Sequence, residues 1–310
     1  MKIGIIGTGS VGGAIARDLV NSGLATELAL LDIDQTKAIA TAEDLTHASV
    51  FGADIKIAAG SYANLKNSDI IIITAGARQQ EGESRVDLVE RNTRAMLDIV
   101  PKLMPYVDKS KVIIIPVTNP LDVMTQVVHK ISGLPAARVI GTGTILDSAR
   151  FRALLAKHLG VSHKSIHCWT LGEHGDSQIV NWTGAMVGAV PLVDFCEQTK
   201  IPLTDAVKKT IEYKTINAAY SIIKGRNATW DGIGAAATDL VRSIALDDHR
   251  ILPVSITTSD FLPEPVAFSL PRIITRGGVA ASIYPKLSSY ESKSLRQSAK
   301  KILSLYSSVS

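Results

Sequence analysis

Cysteine is nearly absent: Cys168 and Cys196 are the two in 310 residues. They stand at no metal-ligand spacing and supply no disulfide framework, which suits a reducing compartment. Neither sign of charge dominates, since 33 Lys and Arg against 29 Asp and Glu leave a formal net charge of +4. The basic residues are spread along the chain, and pairs such as Lys208-Lys209 and Lys300-Lys301 read as solvated helix faces, so no nucleic-acid partner is expected. Long apolar runs are missing too. The stretches at 70–73 and 112–115 are far too short to span a bilayer, so no membrane is expected either. The first strand begins at once and leaves no room for a targeting segment, which points to a soluble cytoplasmic protein. There is no internal repeat and no low-complexity segment. What is present is apolar content of 46% in a chain of this length, enough to bury two cores.

The apolar residues are organised as alternating elements. Strands are predicted near 3–6, 27–31, 55–58, 70–74, 112–117 and 138–141, with helices near 11–22, 35–48, 84–108 and 121–132. Unbroken Ile and Val runs suit parallel strands covered on both faces. Such alternation argues for a doubly wound sheet, whose ligands sit at the carboxyl ends of the strands. The polar motifs of this half all fall at those ends. After about residue 143 the pattern changes to antiparallel ribbons between 165 and 191 and helices near 203–223, 229–246 and 292–306. The predicted fold is α/β: an N-terminal Rossmann-type, doubly wound domain over 1–142, then an α+β catalytic domain over 143–310.

The first strand runs into Gly7-Thr8-Gly9-Ser10-Val11-Gly12, followed by a helix with Val11, Ala14, Ile15 and Leu19 on one face and Gly23 at its end. The glycines have separate tasks: a tight turn at Gly7, backbone approach to a pyrophosphate at Gly9, close helix–strand packing at Gly12. The helix N-terminus then holds the phosphates. Alone, such a pattern recurs by chance. Here a second strand ends in Asp32, twenty-five residues after Gly7. A carboxylate there accepts the adenosine ribose hydroxyls and repels a 2′-phosphate, favouring NAD over NADP. The plainer reading of Asp32 is a turn residue closing a strand.

The segment Leu171-Gly172-Glu173-His174-Gly175-Asp176-Ser177 carries the chemistry. A lone histidine is more often a satisfied core or surface residue than a catalyst. This one has partners: Asp147 and Arg150 are three apart and share one face of a helix. An Asp that fixes the ring tautomer, with an Arg that forks onto a carboxylate, makes an acid/base site for a small organic acid.

These motifs, with Thr74-Ala75-Gly76-Ala77, Gln79-Gln80-Glu81-Gly82-Glu83-Ser84-Arg85, Val117-Thr118-Asn119-Pro120, Gly141-Thr142-Gly143 and Asp147-Ser148-Ala149-Arg150, run from end to end of the chain. Together they resemble the L-lactate/malate dehydrogenase family, and within it the L-lactate branch. The resemblance implies reversible hydride transfer from NADH to pyruvate, with L-lactate and NAD as products. It makes His174 the proton donor/acceptor, Asp147 its partner, Arg150 the carboxylate anchor and Arg85 the group polarising the carbonyl from a mobile lid. It places Asn119 at substrate and nicotinamide ribose, Thr229 in the substrate pocket, Asp32 at the adenosine ribose, and Thr74, Ala75 and Gly76 at the cofactor. Six residues before Arg85, malate-preferring relatives carry an Arg for the second carboxylate; here Gln79 is neutral, Arg78 is off by one, and Glu81 and Glu83 repel dianions. Pyruvate is therefore expected over oxaloacetate, with malate or longer branched 2-hydroxyacids as alternatives, and a non-catalytic NAD-binding regulator as the reading from another class. Asn227 stands where relatives often have Gly, and Asn tolerates the left-handed conformation.

Arg152 and His167 match residues at a subunit interface that, in many bacterial members, bind a phosphate of fructose 1,6-bisphosphate. An ordinary interface ion pair at Arg152, or the binding of an adventitious anion there, is the alternative. A homotetramer is expected ahead of a dimer.

Overall fold

The computed structural model describes residues 1–78, 82 and 84–309. Its first half is an open sheet of β1 (Lys2–Ile6), β2 (Glu27–Leu31), β3 (Lys56–Ala59), β4 (Ile70–Ile73) and β5 (Ile113–Pro116). The order is β3-β2-β1-β4-β5, every pair parallel. The strand order therefore reverses between β1 and β4, and a crevice opens at their carboxyl ends. Helix α1 (Ser10–Ser22) joins β1 to β2, α2 (Gln35–Ser49) joins β2 to β3, α3 (Arg85–Leu103) lies between β4 and β5, and α4 (Leu121–Ser132) follows β5.

The Ile run of β4 shows why these residues form a central strand. All four are fully buried. Ile71 and Ile73 pack with Met96 and Val100 of α3 and Met124 and Val128 of α4. Ile70 and Ile72 point the other way, toward Ile15 and Leu19 of α1 and toward Leu240 and Val241. Each such side chain gains about 1.5–3 kcal/mol over exposure, and alternation lets one strand serve both layers.

Leu240 and Val241 belong to the second half, which follows with α5 (Ile145–Leu159), β6 (Ile166–His167), β7 (Thr170–Leu171), β8 (Ile179–Val180), β9 (Met186–Val187), β10 (Val190–Pro191), α6 (Leu192–Thr199), α7 (Asp205–Arg226), α8 (Asp231–Leu246), β11 (Ile251–Thr258), β12 (Val266–Thr275), β13 (Gly278–Ser282) and α9 (Ser289–Ser307). Strands β10-β9-β6 and β7-β8 are antiparallel ribbons, and β11-β12-β13 form an antiparallel sheet. Because α8 covers one face of the parallel sheet, the two halves share a core. Among the described residues no helix is long and apolar enough to cross a membrane.

Three expectations change. The segment 138–141 is not a strand: Val139 makes one parallel bridge to Ile114 and Gly141 one antiparallel bridge to Ser255, so the chain passes from one sheet to the other. Helix α3 stops at Leu103, and Met104–Tyr106 tightens into a 3₁₀ turn where Pro105 offers no N–H. The sheet β11-β12-β13 and helix α6 were not anticipated. Asn227 does take the left-handed conformation, with φ 61°, closing α7.

Candidate active site

The glycine-rich turn leaves β1 and enters α1 with no space to spare. A Cβ on Gly7 (φ 102°) would lie 2.6 Å from the Ala75 backbone nitrogen, and one on Gly12 would lie 1.9 Å from the Gly7 carbonyl oxygen. At Gly9 the surroundings are open; the nearest atom to a Cβ would be Lys37 Nζ at 4.0 Å. The Thr74 hydroxyl donates to the Gly7 carbonyl (2.8 Å), joining the ends of β1 and β4. Asp32 closes the turn from β2: its Oδ2 accepts the Thr8 N–H (2.6 Å) and hydroxyl (3.0 Å), its Oδ1 the Asp34 N–H (3.1 Å). Burial pushes this carboxyl up, but those bonds and the Lys37 charge hold it below the usual range, so it is ionised. Ser10 opens α1 and its hydroxyl accepts from Arg78 Nη2 at 3.1 Å, while Val11 packs against the core.

Gly7, Gly9, Asp32, Thr74, Ala75 and Gly76 line a cavity of about 710 Å³. Helix α1 has no acidic residue in its first turn, so its N-terminal dipole meets nothing that repels an anion. Bare backbone, helix N-terminus and ionised carboxylate fit a dinucleotide without a 2′-phosphate.

His174 sits in the loop between β7 and β8. Gly172 exchanges two backbone hydrogen bonds of 3.0 Å with Ser269 of β12, fixing the loop from below. The Ser148 hydroxyl accepts the Thr170 N–H at 2.9 Å, fastening α5 to β7. Asp147, in the first turn of α5 and 1% exposed, thereby reaches the imidazole: Oδ2 lies 2.6 Å from Nδ1. Its Oδ1 accepts from Arg150 Nη1 at 2.8 Å. Burial depresses the His174 pKa, yet Asp147 more than offsets this and holds it above the ordinary value. Burial raises Asp147, and His174 and Arg150 bring it below the usual range. The contact thus favours the imidazolium on His174 and the carboxylate on Asp147, and it occupies Nδ1 of the ring.

Arg85 begins α3 because Ser84 caps it: the Ser84 hydroxyl accepts the Asp87 N–H (3.2 Å), and the Asp87 carboxylate accepts the Ser84 N–H (3.2 Å). A cation at a helix N-terminus opposes the dipole, and two carboxylates compensate. Arg85 Nη1 donates to Glu173 (3.0 Å) and Nη2 to Asp176 (2.7 Å), placing its charge on the loop that carries His174. Glu173 is buried and also accepts from Ser177 and from Lys301 (3.0 Å). The Tyr220 hydroxyl donates to Asp176 at 3.0 Å.

The sequence reading missed Asn92. It is fully buried, its Oδ1 accepts the Ala77 N–H (2.7 Å) and its Nδ2 donates to the Asn119 carbonyl (2.6 Å), so it binds the loops after β4 and β5 together. Its one signal was position, seven residues after Arg85 and thus on the same helix face. Thr229 is partly buried just before α8, next to Trp230, whose ring lies under Arg226 at 4.2 Å. His167 is exposed on β6, whereas Arg152 faces the adjacent Cys168; among the described residues no hydrogen bond or ion pair joins Arg152 to His167. Burial pushes the Cys168 thiol up to about 12, against the pull of Arg152. Gln79, with Gln80, Glu81 and Glu83, lies outside the described residues.

Comparison with known proteins agrees with this geometry. Residues 1–141 match the family model "lactate/malate dehydrogenase, NAD binding domain", and residues 144–308 match "lactate/malate dehydrogenase, alpha/beta C-terminal domain". The chain is 44% identical over 300 residues to the L-lactate dehydrogenase of Thermus aquaticus, covering 96% of each chain. It is 41% identical over 310 residues to that of Allorhizobium ampelinum, covering 100% of this chain and 99% of the relative. Among solved structures it superposes on a lactate dehydrogenase from a Medee basin deep-sea metagenome library with a TM-score of 0.95, at 36% identity over 99% of this chain and 98% of that one. A minor L-lactate dehydrogenase from Enterococcus mundtii gives a TM-score of 0.95 at 35% identity, covering 100% and 98%. Matched in both halves and over its whole length, the chain belongs to the lactate/malate dehydrogenase family.

Proposed function

We infer that the chain is an NAD-dependent L-lactate dehydrogenase that reduces pyruvate to L-lactate and runs in reverse on lactate. The observation that carries this is the His174–Asp147–Arg150 chain of 2.6 and 2.8 Å contacts, with Arg85 bonded to residues on either side of His174. NADH held in the glycine cradle supplies the hydride. The remaining work falls to side chains. As the keto carbon is reduced, charge grows on its oxygen, and His174 Nε2 gives that oxygen its proton while Asp147 stabilises the cation until transfer. Arg150 spends one Nη on Asp147 and keeps its other donors for the substrate carboxylate, which two parallel bonds would orient. We assign Arg85 to polarising the keto oxygen, Asn119 and Thr229 to lining the substrate, and Gln79 to the neutral wall that prefers pyruvate. The first test is plain: protein, NADH and pyruvate should lose NADH absorbance, and no loss at high enzyme concentration over hours would end this reading.

The raised His174 pKa fixes the sign of the pH dependence. Below it the imidazolium is present and pyruvate KM should be flat; above it KM should climb about tenfold per pH unit. Lactate oxidation needs the neutral ring as base and should fall on the acid side. Parallel profiles in the two directions would remove His174 from the proton transfer.

Assembly and regulation form a second proposal. Phe51 beside α2 and Tyr213, Tyr220, Ile222 and Ile223 on α7 are exposed apolar side chains, which favours burial against further copies in a homotetramer. Arg152 and His167 would then meet their symmetry mates, and a phosphate of fructose 1,6-bisphosphate would relieve that repulsion. The expected result is a lower half-saturating pyruvate and a tighter assembly in sedimentation when the bisphosphate is added. No change in either makes the pair structural. Two buried free thiols, Cys168 and Cys196, fit a reducing cytoplasm.

A further inference from the structure

Beneath the His174 loop lies a second carboxylate that the reaction described above does not use. Asp122 stands in the first turn of α4, in the cofactor half, and is 2% exposed. Its Oδ2 accepts the backbone N–H of His174 at 2.7 Å. Its Oδ1 accepts the hydroxyl of Ser255 on β11 at 2.6 Å. Ser255 is itself fully buried and exchanges backbone bonds of 2.9 and 3.1 Å with Gly141, at the joint between the two halves. One carboxylate thus ties together α4, the sheet β11-β12-β13 and the backbone of the residue whose ring is held by Asp147.

We propose that Asp122 is a positioning residue for the dehydrogenase reaction: it locks the His174 backbone across the joint between the halves and adds a second carboxylate charge, beside that of Asp147, in support of the imidazolium. The inference rests on His174 acting as the acid. A neutral hydrogen-bonding side chain would hold the loop equally well, so the charge is what distinguishes this role from simple packing.

The groups facing Asp122 are few. From the loop come His174 and Glu173, from β12 the buried Arg272, and from α5, through the imidazole, Asp147 and Arg150. Arg272 makes no direct bond to Asp122; its Nη1 donates to the Val254, Phe268 and Leu270 carbonyls. Burial dominates over the two hydrogen bonds and pushes the Asp122 carboxyl up to about 7, close to the ordinary range of a histidine. When Asp122 is ionised it favours the His174 cation; when it is protonated that support is gone. The two groups then titrate as a coupled pair rather than one at a time.

Asp122→Asn tests this directly, because Asn has the same shape, can accept the His174 N–H and can donate to Ser255. The expected result is a kcat on pyruvate lowered about tenfold with the NADH dissociation constant unchanged. The pH at which pyruvate KM begins to rise should move down by roughly half to one unit, and the broad two-group profile should sharpen to a single ionisation. A wild-type kcat and pH profile in the Asn variant would overturn the proposal. Should that variant not fold, Ser255→Ala removes the hydroxyl that helps to keep Asp122 ionised: kcat should fall and the pH midpoint should move down in the same direction as in the Asn variant, and an unchanged kcat and midpoint would be fatal. Following the His174 ring by NMR in the wild-type protein gives a third readout, with two titration steps expected and a single step against the coupling. Failure of the wild-type protein to oxidise NADH with pyruvate would sink the proposed function instead, and is seen before any variant is made.

Discussion

Replacing His174 with Gln is expected to lower kcat for pyruvate reduction by roughly 10²- to 10⁴-fold, the range that a positioned acid contributes. Gln fills similar space and can still donate one hydrogen bond to Asp147, so the loop should remain in place. What disappears is a proton that can be handed to the developing alkoxide at neutral pH. NADH binding should survive, because the cradle of Gly7, Gly9, Gly12 and Asp32 is built on a different set of strands. Fluorescence titration with NADH and steady-state kinetics on one sample separate the outcomes. Loss of turnover with intact NADH affinity supports the role; loss of both together means that the substitution damaged the fold. Removing Asp147 from the same site would be less informative, since its buried carboxylate also pairs with Arg150.

The second large effect concerns choice of substrate. Gln79→Arg is expected to shift the ratio of kcat/KM for oxaloacetate over pyruvate upward by roughly 10²- to 10⁴-fold. Oxaloacetate carries a second carboxylate that must be taken out of water, and on the proposed assignment of Gln79 a neutral side chain there would offer it no counter-charge. An Arg at that position pairs with it, while against pyruvate the same guanidinium is itself left unpaired. The shift should therefore come from both directions, a gain on one substrate and a loss on the other. A variant that keeps the parental preference would show that residues elsewhere in the pocket select the substrate.

Much of the first half was legible in the chain itself. The apolar pattern predicted six strands, five of which form the parallel sheet, and its order β3-β2-β1-β4-β5 puts the glycine turn, Asp32 and Thr74 at adjacent strand ends, while the sixth, at 138–141, makes only isolated bridges. That half is readable because local pattern and tertiary environment agree: each central strand is apolar on both faces, and each motif follows its strand directly. The second half was less so. Strand β12 is buried nearly throughout, yet it contains Pro271 and Arg272. Proline argues against a strand, but Pro271 pairs opposite Pro253 of β11, so both missing N–H groups fall at one position in the ladder. The charge of Arg272 is met by three backbone carbonyls, a compensation that no sequence pattern announces.

The sequence by itself determined the kind of chemistry: a dinucleotide cradle, a histidine beside glycines, and an Asp and an Arg one helical turn apart. Spacing along one element suffices for that, because residues three or four apart on a helix, or in one tight turn, are neighbours however the rest of the chain folds. Only the tertiary structure decided how that chemistry is held. The 2.6 Å contact of His174 with Asp147, the grip of Glu173 and Asp176 on Arg85, the Asn92 link between two loops, and Asp122 under the His174 backbone all join residues far apart in the chain. Such contacts depend on how layers stack and where strands end, and those are settled by burial of the whole core rather than by any local pattern.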